Sequence, residues 1–161
     1  MAMSNPDQRC VLVVIADGFE EIETIVVLSM LRQAGMCTKS VGLMSGYIKG
    51  SHGILIKPDS TLTNLHRVIT MASIKLVVLP GGEQGVSRLE SDPRVHELLR
   101  RVVAQQGIIA TGVGGARILR AAALCNNSST ETDRQHPLIL SRTHDQSIES
   151  FAQDLVRRSM C

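Results

Sequence analysis

Aromatic side chains are nearly missing from this chain, which has no Trp, one Tyr and two Phe among 161 residues. Modules that stack on bases need such rings, usually beside a basic stripe. Lys and Arg number 17 against 15 Asp and Glu, and they are scattered, so no nucleic-acid partner is expected. The four cysteines (Cys10, Cys37, Cys125, Cys161) form no CxxC pair and have no His at metal-ligand spacing. That argues against a zinc module, and free thiols in a reducing, cytoplasmic setting fit best. No apolar run is long enough to span a bilayer and no signal peptide precedes Cys10, so no membrane partner is expected.

What is present is aliphatic. CVLVVIA, Cys10 to Ala16, reads as a central parallel strand buried on both faces. A helical period follows from Glu20 to Ala34, with Ile22, Val26 and Met30 on one side, Val27, Leu31 and Ala34 beside them, and Gly35 at its end. Thr38 to Met44 is a second strand, and Tyr47 to Lys49 and Ile54 to Lys57 are two shorter extended pieces. A short helix is expected near Leu62 to Val68, and Ile74 to Gly82 is a strand ending in Pro-Gly-Gly. Asp92-Pro93 opens a helix to Gln106 with an N-cap and a first-turn Pro. Residues 107–119 form a short strand that turns on glycines into a helix reaching about Leu124. Residues 125–136 read as a polar loop, Pro137 to Ser141 as a last strand, and Ser147 to Arg158 as a terminal helix. The alternation predicts one α/β domain over residues 1–161, with residues 1–9 frayed. It is a doubly wound, mainly parallel sheet with helices on both faces, a three-layer sandwich.

Three turns converge at the carboxyl edge of such a sheet, where ligands bind in this architecture. DGFEEIET, Asp17 to Thr24, packs three carboxylates into one helical turn. Glu20 and Glu21 are explained by the helix macrodipole, whereas Glu23 points toward a neighbouring strand end. Leu79-Pro80-Gly81-Gly82 can aim a backbone amide at an oxyanion. The third is the elbow GIIATGVGGARIL, whose apical residue is Val113 between Gly112, Gly114 and Gly115. A Ser or Cys there would be an activated nucleophile. Each turn also has an ordinary packing role. The five histidines carry little individually: His136 and His144 flank the last strand, and His52, His66 and His96 read as surface positions. No cofactor or metal pattern is present; the first turn is acidic rather than a glycine-rich phosphate cradle.

Together VLVVIADGFEEIETIVVLSMLRQAG, IKPDSTL, VVLPGGEQG, GIIATGVGGARIL and, more weakly, LILSR resemble the ThiJ/PfpI superfamily, in its parkinsonism-associated deglycase-like branch. The resemblance implies a flavodoxin-like fold, a homodimer formed through the first helix, and glyoxalase, deglycase, peptidase or chaperone activity. It also implies a site made of an elbow Cys, a Glu on the first helix, an oxyanion-side turn and often a His. Carried over, these positions are Val113, Glu23, Gly81 with Gly82 and Gly114, and His136. Two departures follow: Val113 has no thiol, and the stretch between the elbow helix and the last strand is shorter than in the family.

A valine cannot form a thiolate or a hemithioacetal. The first reading is therefore a degenerate member acting as a binding, chaperone-like or stress-response module, with a small carbonyl compound as possible ligand. The second is an active glyoxalase-, deglycase- or peptidase-like enzyme with a non-standard nucleophile. Cys125 is the obvious substitute, but twelve helical residues would set it about 18 Å from the apex. In either case Glu23, facing Val113, would be a partly desolvated carboxyl with one partner lost.

Overall fold

The structure is a computed structural model that describes residues 9–65, 74–125 and 138–161. The first strand, β1 (Cys10–Ile15), is buried at every position, because six apolar residues, most of them β-branched, are sandwiched between helical layers. It is followed by α1 (Glu21–Gln33), β2 (Thr38–Gly42), β3 (Ile48–Lys49), β4 (Leu55–Ile56), β5 (Ser60–Thr61) and β6 (Ile74–Leu79). The remaining elements are α2 (Glu83–Ser91), α3 (Pro93–Ala104), β7 (Ile108–Thr111), α4 (Ala116–Ala121), β8 (Ile139–Ser141) and α5 (Ile148–Met160).

Six strands form one sheet in the order β5-β2-β1-β6-β7-β8, every neighbouring pair parallel. Apart from the short edge strand β5, this is the flavodoxin-like order, with its switch point between β1 and β6. β3 and β4 make a separate antiparallel hairpin. One face of the sheet packs Val11, Val13 and Ile15 against Val27 and Leu31 of α1 and Phe151 and Leu155 of α5. The other packs Leu12, Val14 and Val77 against α2, α3 and α4 through Val86, Leu89, Leu99 and Ile118. The result is the three-layer α/β sandwich expected from the sequence.

Some elements differ from expectation. α2 was not foreseen; its segment offers only Val86 and Leu89 to the core, with Gly85 closing against the backbone of Phe19. The elbow helix stops at Ala121 rather than Leu124, and Ala123 takes a positive φ of 58°. In α1 the buried apolar side is Val27, Leu28 and Leu31, while Ile22 is 64% exposed. The expected helix near Leu62 to Val68 falls partly, and the frayed start and polar loop fall almost wholly, outside the described residues. Among the described residues no helix is long and apolar enough to cross a membrane.

Candidate active site

Three of the sequence-predicted positions meet at the carboxyl edge of β6 and β7. Asp92-type capping recurs at α1, where the Glu20 carboxylate accepts the Glu23 backbone N–H at 2.6 Å and starts the helix. That start turns Glu23 inward, and it is 1% exposed. Its Oε1 accepts the Gly81 backbone N–H at 2.7 Å. Gly112 must be glycine for this to happen, because a Cβ there would fall on Glu23 Oε1 and on the Gly81 nitrogen. A Cβ at Gly81 would lie 3.2 Å from the Val113 carbonyl and 3.6 Å from Glu23 Oε1. Glu23, Gly81 and the backbone of Val113 thus form one contiguous wall.

Arg142, which sequence reasoning missed, completes that wall. Thr111 of β7 pairs with Ser141, the last residue of β8, so the residue that follows emerges at the carboxyl edge beside Gly112. Its backbone N–H is fixed by the Thr111 carbonyl at 2.8 Å and its Nε by the Gln146 carbonyl at 3.0 Å. Nη1 then donates to Glu23 Oε2 at 2.8 Å, in a pair whose arginine side chain is 16% exposed and whose glutamate is 1% exposed. Glu23 has no thiol beside it, as Val113 dictates, but both of its oxygens are engaged, one by an amide and one by a guanidinium. The only hint in the sequence was that the last matching segment, LILSR, ends on this arginine.

The elbow itself is relaxed at its apex. Among the described non-glycine residues only Gln106 and Ala123 have positive φ, and the left-handed step falls on Gly114 at 85°. A β-branched residue would be strained in that region, and Val113 avoids it. Gly82, at φ 102°, could not carry a Cβ either, since the Gly18 carbonyl occupies the space. No cysteine reaches the elbow. Cys10 and Cys37 stand at the opposite, amino edge of the sheet, Cys125 lies beyond the end of α4 against the core, and Cys161 ends α5. His144 is exposed, and His136 lies outside the described residues.

A second polar cluster lies at the start of α1. Glu21, 2% exposed, accepts from the His52 backbone N–H at 2.5 Å, from Ser51 Oγ at 3.0 Å and pairs with His52 Nδ1 at 2.9 Å. Glu20, Glu21 and His52 bring ligand-type atoms within 4.8 Å of one another, but Glu20 caps the helix and Glu21 anchors the hairpin turn. Burial acts to raise the Glu21 pKa, yet the His52 and Ser51 hydrogen bonds outweigh it and hold the carboxyl at about 2. The same contact raises His52 above its usual range. The cluster ties β3–β4 to α1.

The chain matches the DJ-1/PfpI family over residues 9–152. It belongs to that family. A zebrafish (Danio rerio) relative, Parkinson disease protein 7 homolog, is 32% identical over 127 residues, 78% of this chain and 64% of the relative. A Caenorhabditis elegans relative named glutathione-independent glyoxalase is 29% identical over 115 residues, 71% of this chain and 59% of the relative. The chain thus spans under two thirds of the length of these relatives. The crystal structure of Drosophila melanogaster DJ-1beta superposes with a TM-score of 0.80 at 22% identity, covering 95% of this chain and 94% of that one. This last likeness shows the DJ-1 fold.

Proposed function

We propose that this chain is a catalytically degenerate DJ-1/PfpI domain that works by binding, with the pocket around Val113 accepting a small carbonyl compound and the exposed side of α1 pairing two copies. The observation that carries this reading is the pairing of Glu23 with Arg142 and Gly81 beside an elbow that holds an isopropyl group. Covalent addition to an aldehyde needs a lone pair on the attacking atom and a base free to take or share its proton. Val113 has no lone pair. Glu23 has both oxygens committed. The nematode relative's name favours the second reading, residual glyoxalase chemistry through another group, and the same experiment separates the two.

Methylglyoxal consumption would be followed for the wild type, Val113→Cys, Glu23→Gln and the double variant. The degenerate reading expects an inert wild type. Turnover by the wild type that disappears in Glu23→Gln would overturn it. Activity confined to Val113→Cys would mean that a scaffold competent for chemistry persists and only the sulfur is gone.

A further inference from the structure

Nothing in the proposed function uses Cys10 and Cys37, which lie at the amino edge of the sheet, away from the pocket. β1 and β2 run parallel with Val11 opposite Thr38, and the Val11 N–H donates to the Cys37 carbonyl at 2.7 Å. Carried back one residue, this register sets Cys10 beside Cys37. Both side chains join the same core cluster, so they project to the same face of the sheet. The Cys10 thiol also hydrogen-bonds to Cys37. Neighbouring strands run about 4.8 Å apart, inside the ~4.4–6.8 Å window of Cα separations that a disulfide spans. Cys10 is buried and Cys37 partly exposed, so an oxidant reaches one sulfur while the other waits beneath it.

We propose that Cys10 and Cys37 form a modification site, a reversible cross-strand disulfide made by hydrogen peroxide and undone by a dithiol. Cys37 reacts first: its thiolate sulfur attacks one peroxide oxygen, the O–O bond breaks, and the departing hydroxide takes up a proton to leave as water. The product is a sulfenic acid on Cys37. The Cys10 sulfur then displaces the hydroxyl, forming S–S and breaking S–O, and the Cys10 proton leaves with the hydroxyl as a second water. The two sulfurs together lose two electrons and the peroxide gains them. Burial and the hydrogen bond to Cys37 hold the Cys10 thiol up at about 12, which suits the second role rather than the first.

The bridge would close the segment 10–37, which contains all of α1 and therefore Glu23. Constraining that segment in the unfolded chain should raise Tm by roughly 5–10 °C. The reduced full-length chain would be treated with hydrogen peroxide, alkylated, digested with trypsin without reductant and analysed by mass spectrometry. The expected product joins peptides 10–32 and 33–39, lighter than their sum by two hydrogens, and separates on dithiothreitol treatment. It should form equally in a Cys125→Ser, Cys161→Ser double variant, whose sheet thiols are untouched. Cys37→Ser should lose both the linked peptide and the Tm rise, and serves if Cys10→Ser fails to fold. Separate alkylation of peptides 10–32 and 33–39 would overturn the proposal. So would oxidation of Cys37 to a sulfinate without the link, or a linked pair that forms only through Cys125 or Cys161.

Discussion

The chemistry of the carboxyl edge turns on the Glu23–Arg142 pair. Removing two charges from water is costly, and the attraction recovers that cost only when the remaining hydrogen-bonding positions are filled. Each partner has a further bond here: Glu23 also takes the Gly81 N–H, and Arg142 also gives Nε to the Gln146 carbonyl. Breaking the pair from one side leaves a charge in a dry site. Arg142→Met is expected to destabilise by about 2–4 kcal/mol, below the upper limit for a fully buried pair because the arginine retains some exposure to water. Glu23→Gln keeps the shape and the Gly81 contact, so it should cost less, and the double variant less than the sum of the two. A double-mutant cycle by urea unfolding measures the coupling. Strict additivity would mean that the contact is incidental and that Arg142 does not hold the carboxylate in place.

One level up, the hairpin β3–β4 is secured to α1 by Glu21, Ser51 and His52, and this joint has a pH window. The Glu21 carboxyl falls from an ordinary 4.5 to about 2, so its contribution is present above 4.5 and lost as pH drops through about 2. The His52 pKa is raised above 6.5 by the Glu21 contact, so its contribution is full below 6.5 and lost as pH climbs through the raised value. The Tm gap between wild type and His52→Gln should therefore be widest between about pH 4.5 and 6.5 and narrow in alkali. A gap that stays constant from mildly acid to alkaline pH would show that the imidazolium contributes nothing. Much at this scale could be read directly from the chain. β1 and β6 are legible because a strand buried on both faces has to be apolar at nearly every step. α2 is not, since its nine residues carry only two apolar anchors, Val86 and Leu89, behind Gly85. Glu21 with His52 and Glu23 with Arg142 are equally silent, because partners 31 and 119 residues apart meet only through sheet register and hairpin placement. Ile22 misleads for a related reason: apolar character marks a helix face without saying whether the core or another molecule covers it.

For the whole molecule, that exposed face matters most. Ile22 and Ile25 of α1 are 64% and 48% exposed, and Met44, Tyr47, Ile54 and Leu55 in and around the hairpin are more than half exposed. Because Glu21 and His52 fasten the hairpin to the start of α1, these two apolar groups belong to one rigid unit. Large apolar side chains exposed on one unit are what association covers, and a two-fold pair would bury the same residues from both sides. The dimer we propose would therefore use α1 together with the hairpin. Folding would then be linked to association, and Tm should rise with protein concentration. Ile25→Glu places a charge on the exposed side of α1 without touching the core, so it should shift light-scattering mass from two chains to one and abolish the concentration dependence. Its Tm should match that of the dilute wild type, because only the intermolecular contact has been removed. A wild type that scatters as a single chain at every concentration, with a Tm that does not move, would leave the apolar side of α1 without a second copy to cover it.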